Sequence, residues 1–306
     1  MTVTQDTLGI GELAELTGVS VRTIRFYCDE GILESRRSAG GHRRFDPAAV
    51  EQLNLVRRLR RLGLDLTAIT AVLLGERSMD EAIAATRAAL DVEFETLAWR
   101  RASLSAIEQA SPAERAARMD LLAKVVDGRA AHDAIVTFWR GLILAPIRES
   151  LAEKFIVSNA PEPPSAPTPG QVVAYAEMAT LVADRSLSER LIARSRANVE
   201  KVRDEEGLWD GLAEAGGAAY PLILAGRAPE PGKALDLFVD AHASARGERD
   251  SPEFRRELLL SVDADRDPRL GRYWRLSREV TGAAVPVGVL LCWLIDALGE
   301  SVSACG

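Results

Sequence analysis

Apolar residues recur at helical spacing along almost the whole chain, and strand-like alternation is nearly absent. At the amino terminus the repeats are short. Ile10, Leu13 and Ala14 fall at i, i+3 and i+4, which gives a short helix one apolar face. Gly18 ends it, because glycine accepts the left-handed backbone that a helix exit needs. Ser20 then offers an oxygen to the free N–H groups of a second helix starting at Val21. On this helix Val21, Ile24 and Cys28 share one side, while Arg22, Thr23, Arg25, Phe26 and Tyr27 spread over the rest as a basic, aromatic surface. From Glu34 to Phe45 two short arms flank Gly40-Gly41 and carry Arg36, Arg37, Arg43 and Arg44. This predicts a two-stranded wing anchored to the core by Phe45.

Asp46-Pro47 opens a helix with Val50, Leu53, Val56 and Leu59 on one face and Arg57, Arg58, Arg60 and Arg61 near its end. Leu62-Gly63 stops it, and Asp65 caps a short helix over Leu66 to Leu74. From Ser78 to about Ala110 there is no glycine or proline, and Ile83, Leu90, Leu97 and Leu104 recur every seven residues; Phe94 and Ile107 widen the stripe and Arg101 interrupts it. A sustained heptad on a long helix predicts pairing with another copy, the alternative use being packing on the chain's own carboxy-terminal part.

Beyond Ser111-Pro112 the pattern is helical to the end. Segments are expected at Ala113 to Val126 and at Ala130 to Ile156, the second bent at Pro146. Asn159 to Gly170 holds five prolines and reads as a linker or mobile loop. Further helices are expected over Gln171 to Ala183, Ser186 to Glu205 with a Ser186-x-x-Glu189 capping box, Leu208 to Ala215, Tyr220 to Leu224, Lys233 to Ala245, Pro252 to Leu260 capped by Ser251, and Pro268 to Val280 capped by Asp267. Val285 to Leu298 reads as a buried carboxy-terminal helix, too short for a bilayer and including Pro286. The expected fold is mainly α: a winged helix-turn-helix over 1–75, a dimerisation helix over 76–110, and an all-helical domain of about eight helices over 111–306 with a proline-rich loop at 159–170.

Charge changes this picture in one respect. The formal net charge of -7 argues against a nucleic-acid partner, yet residues 1–75 hold 10 Arg, no Lys and 9 acidic residues, so the head is net +1 and the remainder net -8. Arg36 to Arg44 and Arg57 to Arg61 each gather four arginines without an acid, which suits a DNA-touching head on an acidic body. Cys28, Cys292 and Cys305 share no short spacing and read as reduced cytosolic thiols, and MTVTQDTLGIGE has no secretory pattern. A cytoplasmic protein with no membrane partner is expected.

Helix, glycine-containing turn, helix is the helix-turn-helix unit, whose second helix sets its first residues against base edges in the major groove. Val21, Arg22 and Thr23 hold those positions. Arg60 and Arg61 are placed near phosphate, or else form a solvated face.

The run TIRFYCDEGIL (Thr23 to Leu33), followed by GGHRRFD (Gly40 to Asp46) and a helix, resembles the MerR family of dimeric bacterial transcription regulators. Thr23, Ile24, Arg25, Phe26, Tyr27, Gly31, Ile32, Leu33, Arg43 and Phe45 occupy the family's pattern. His42 and Cys28 depart from it, where tyrosine and an acidic residue are usual. The resemblance implies phosphate contacts from Arg25, Tyr27 and Arg43 and base contacts near Val21 and Arg22. It also implies an antiparallel pair of long helices joining two heads, RNA polymerase on the same promoter, and an effector that bends and untwists the DNA.

The metal-sensing branch of that family uses cysteine at the start of the dimer helix and in a loop after it, where this chain has Met79 and no cysteine between Cys28 and Cys292. No cofactor or metal is expected. An organic effector remains, with Trp139, Trp209, Tyr273 and Trp274 as aromatic candidates to line its pocket; core packing accounts for the same residues. No catalytic motif is present. His132 beside Asp133, and His242 near Asp240, read as surface histidines, and Asp263, Asp265 and Asp267 as a helix-capping loop rather than a calcium loop. Two other classes stay open: an architectural, excisionase-like DNA binder without a ligand, and a DNA-anchored enzyme.

Overall fold

The computed structural model describes residues 7–38 and 40–304. Cys305 and the first six residues, on which the thiol and leader expectations partly rest, lie outside them. The chain divides into two compact units, Met1–Phe94 and Glu95–Gly306.

In the first unit, β1 (Leu8–Gly9) leads into α1 (Ile10–Thr17) and α2 (Val21–Asp29), then β2 (Arg36–Arg37), β3 (Arg43–Phe45), α3 (Ala48–Arg61) and α4 (Leu66–Leu73). Local chemistry sets these boundaries. Gly18 closes α1 at φ 65°, the Ser20 side chain accepts from the Thr23 N–H at 3.1 Å, and Asp65 accepts from the Ala68 N–H at 2.7 Å. The sheet order is β1-β3-β2, all antiparallel, with Leu8 opposite Phe45 and Arg36 opposite Arg44. Strand β1 was not anticipated: two residues are too few to show alternation. Leu13, Ile24, Phe45, Leu53, Val56 and Ile69 form the core, which Ala82 joins from α5 (Met79–Glu108).

Ten helices follow among the described residues of the second unit, where about eight were expected. They are α6 (Arg115–Ala123), α7 (Gly128–Arg140), α8 (Glu149–Asn159), α9 (Pro169–Val182), α10 (Arg185–Lys201), α11 (Glu205–Leu224), α12 (Lys233–Arg246), α13 (Pro252–Ser261), α14 (Pro268–Thr281) and α15 (Val287–Ala304). The expected bent helix over 130–156 is in fact α7 and α8, separated by an irregular stretch around Pro146. Conversely, the two short helices expected over 208–224 are one. Helix α11 continues through Gly216, Gly217 and Pro221 because its small face packs closely on α12, an added Cβ at Gly211 reaching within 2.5 Å of the Ala241 Cβ. At the start of α10, Asp184 rather than Ser186 is the cap, accepting from the Ser186 and Leu187 N–H groups.

Helix α9 is apolar on most sides and central: Val172, Ala174, Tyr175, Ala176, Met178, Ala179 and Val182 are buried. Around it, Trp99 of α5 meets Tyr175 edge-on at 5.7 Å and donates to the Val125 carbonyl at 3.3 Å. The proline-rich segment is pinned rather than loose, since Pro161 O accepts from the Tyr175 hydroxyl at 2.8 Å and Asn159 O from the Tyr273 hydroxyl at 2.6 Å. A second core gathers Phe238, Val239, Phe254, Leu258, Trp293, Leu294 and Leu298. Helix α15 runs further than the apolar run predicted and is, by length and mean hydropathy of 1.6, long and apolar enough to cross a membrane. Here Trp293, Leu294, Ile295, Ala297 and Leu298 serve that core.

Gly288 lies against the indole of Trp274, so a β-carbon there would overlap the ring. Gly288→Ala is expected to destabilise the second unit by about 1–3 kcal/mol through overpacking, read as a lower urea midpoint with unchanged slope. The aspartates at 263, 265 and 267 are engaged by arginines: Arg190 meets Asp263 and Asp267, Arg194 meets Asp265, and Arg269 bridges Asp267 and Asp184. Hydrogen bonds from Ser186 and Arg269 hold Asp184 down to about 2, and the bond from Arg269 also lowers Asp267. A depressed carboxylate contributes stability above its unfolded pKa and loses it as pH falls towards the folded value. Urea midpoints should therefore fall between about pH 4 and pH 2, and Asp267→Asn should flatten that dependence.

Candidate nucleic-acid interface

Helix α2 and the wing carry the cationic surface of the first unit. Along α2 the buried residues are Ile24 and Tyr27, while Arg22, Arg25 and Phe26 are exposed and Val21 and Thr23 are partly so. Tyr27 departs from the expected surface position. At 8% exposure its ring packs in the core, because residues 24 and 27 fall three apart on the inward face and the area of an aromatic ring outweighs the pull of its hydroxyl. Cys28 is half-buried beside Ser35, and burial pushes its thiol up, which disfavours the reactive thiolate.

The wing sets like charges opposite one another, Arg36 against Arg44 and Arg37 against Arg43. Such pairing is unfavourable by itself. Two of the four are answered within the unit. Arg43 reaches Asp29 at the end of α2 at 2.7 Å, and Arg44 donates to the Thr7 hydroxyl at 3.1 Å and the Thr7 carbonyl at 2.6 Å. Among the described residues Arg22, Arg25, Arg36 and Arg37 form no ion pair. His42 is exposed at the wing tip, with its N–H donating to the Ser38 hydroxyl at 3.2 Å. Arg60 and Arg61 are exposed at the end of α3, and Arg60 also donates to the Leu64 carbonyl at 2.9 Å. Arg57, counted in the cationic run at the end of this helix, instead donates its guanidinium to the Thr17 carbonyl and so ties α3 to the turn of the helix pair. Gln52 likewise donates to the Ile32 carbonyl at 2.8 Å, ahead of the wing.

These elements make a positive helix face beside a positive hairpin, in the connectivity of a winged helix-turn-helix. The family described as MerR HTH family regulatory protein matches residues 8–76. Residues 8–76 are a MerR-family helix-turn-helix domain. The match ends just before α5 begins. The nodulation protein NolA of Bradyrhizobium elkanii is 45% identical over 71 residues, 23% of this chain and 32% of NolA. The transcriptional activator TipA of Streptomyces coelicolor is 37% identical over 109 residues, 34% of this chain and 41% of TipA. The transcriptional regulator CueR of Vibrio cholerae is 29% identical over 103 residues, 33% of this chain and 74% of CueR. The chain thus spans about a third of the length of NolA and two fifths of TipA. No solved structure matches it.

After the MerR-type head, Ile83, Leu90, Phe94, Leu97 and Leu104 of α5 are between 44% and 64% exposed. The aromatic candidates of the second unit lie otherwise. Trp139, Tyr273 and Trp274 are core residues: Trp139 donates to the Tyr273 hydroxyl at 3.0 Å and its ring centre lies 5.4 Å from that of Trp274. Trp209 is half-buried, edge-on to Phe155 at 4.6 Å, and donates to Glu205 at 3.0 Å. A cavity of about 480 Å³ opens elsewhere in this unit, lined by Arg118, Val173, Glu177, Arg272, Arg275 and Glu279 among others, so its lining is charged rather than aromatic. Of the histidines read as surface residues, His132 is half-buried with Nδ1 3.1 Å from the Tyr175 hydroxyl, and His242 is fully buried.

Proposed function

We propose that this chain is a sequence-specific DNA-binding transcription regulator of the MerR type, acting in the cytoplasm as a homodimer on double-stranded promoter DNA and not as an enzyme. The observation that carries this is the cationic surface of α2 and the wing. Four of its arginines, Arg22, Arg25, Arg36 and Arg37, are held on rigid elements with no ion pair among the described residues; they are stabilised by a polyanion, and the phosphate backbone is one. Arg22 at the start of α2 is the base reader, with Val21 and Thr23 beside it. Arg25, Arg36 and Arg37 meet phosphate, His42 and Arg44 support the wing, and Arg60 and Arg61 extend the track. Arg43 is positioned by Asp29, and the Tyr27 ring holds α2 in place.

Dimerisation follows from the same physics on α5. A row of large apolar side chains left in water over about six turns is a seam awaiting a partner. Pairing sets the interval between two recognition helices and so the half-site spacing. The second unit takes a small organic effector that favours one of two dimer conformations. The change distorts the promoter at a cost of about 1–6 kcal/mol and presents it to RNA polymerase. The charged cavity beside Arg272 and Arg275 offers a polar effector open space that the packed tryptophans do not.

Footprinting on the promoter of its own gene tests this. Two protected half-sites related by dyad symmetry are expected, with altered reactivity between them once a compound found by thermal shift is added. Uniform, sequence-indifferent protection at all salt concentrations would refute it.

A further inference from the structure

Within the second unit α12 buries two polar side chains that the reading above leaves without work. His242 and Arg246 stand one helical turn apart on the same face, 4% and 3% exposed. Phe238 meets His242 edge-on at 4.8 Å, and Phe254 lies under the Arg246 guanidinium at 5.7 Å, so both sit among rings rather than water. Arg246 donates from Nη2 to the Ser261 hydroxyl at 3.2 Å. Its Nε and Nη1 have no acceptor, nor has Nε of the nearby Arg194, and Nδ1 of His242 is likewise unpartnered. Among the described residues no carboxylate pairs with Arg246, and the one carboxylate joined to Arg194 is Asp265.

Burial, and then the charges of Arg246 and Arg194, push His242 down to about 3, so it is neutral here. Arg246 is therefore buried with no hydrogen-bonded carboxylate, Glu248 and Glu257 acting on it only through space, while the partly exposed Arg194 is paired with Asp265. An uncompensated buried cation is costly, and buried donors are almost always satisfied. One water has two lone pairs, too few for the four N–H bonds on these three nitrogens of Arg246 and Arg194.

We propose that α10, α12 and the 263–266 turn enclose a binding site for one small anion, a halide or a carboxylate no larger than formate, held by Arg246 and closed by His242 and Arg194. The site is independent of the DNA reading. It acts as a bound counter-ion that ties α12 to the turn before α14.

The test uses the full chain and intrinsic fluorescence, because all five tryptophans lie at or beyond residue 99 and report only on the second unit. Sodium chloride and sodium formate, each titrated at constant sodium against a bulky sulfonate, should raise the thermal midpoint of the wild type saturably by a few degrees. They should also compete with each other in chloride-35 line broadening. Arg246→Met should abolish both responses, whereas Arg256→Met, at an exposed position on α13, should keep them. Wild-type midpoints that follow the sulfonate series, with no chloride broadening relieved by formate, overturn the proposal and assign the donors to buried water. The wild-type titration decides even if Arg246→Met does not fold.

Discussion

Alanine at Arg36 and Arg37 together is expected to abolish operator binding at moderate salt, lowering affinity for every sequence tested. Both side chains project from β2, and neither forms an ion pair among the described residues. Their removal leaves the fold untouched, since the wing is held by Phe45 and by the bonds of Arg43 and Arg44. If each meets one phosphate, two counter-ions fewer are released on binding, and the slope of log affinity against log salt should become shallower by about 1.8. Arg22→Ala should behave differently. Its loss should be about 1–3 kcal/mol, confined to particular base pairs, with a slope close to the wild type. Binding titrations at four salt concentrations, on the operator and on scrambled duplex, separate the two. Equal losses on both duplexes for Arg22→Ala would remove it from base readout, and an unchanged slope for the wing variant would remove the wing from the backbone.

The second large effect concerns α5. Leu90→Glu with Leu97→Glu should convert a dimer into a folded monomer. Both residues are about half exposed, so a charge there costs the single chain little, whereas in a paired seam it places desolvated carboxylates face to face. Sedimentation should show half the mass, and circular dichroism should show the same helicity. Tethering makes the second half-site contact intramolecular, so its loss should weaken operator binding by roughly 10²–10⁴-fold. A wild-type chain that sediments as a monomer at micromolar concentration, or a variant that stays dimeric, would move the pairing surface elsewhere.

The head was legible in the sequence because each boundary there has a local cause. Gly18, Ser20 and Asp65 act within three or four residues of themselves, and the structure puts them where that chemistry requires. Tyr27 and β1 were not, since the inward turn of a ring and a two-residue strand depend on what lies opposite: Phe45, in the second case. In the second unit the errors run the same way. Gly216, Gly217 and Pro221 are helix-breaking by propensity, yet α11 continues because α12 packs along it. His242 was read as a surface residue because polar type was weighed above position. It shares a face with Leu235, Phe238, Val239 and Arg246, and that face is buried. The aromatic candidates failed to separate from core packing for a related reason: a tryptophan in a groove and one in a core have the same neighbours in sequence.

Helix α5 has a two-sided character over residues 97–106. Ala98, Trp99, Ala102 and Ala106 turn inward, Trp99 so tightly that a β-carbon at Gly128 would stand 2.8 Å from its ring, while Leu97 and Leu104 look out to solvent. A rod gripped on one flank cannot roll on that flank alone. Any event that turned this stretch of α5 about its own axis would carry Trp99 and the outward leucines through the same angle, and in the proposed dimer a mate clasped to them would feel the twist without a hinge or a loop to carry it.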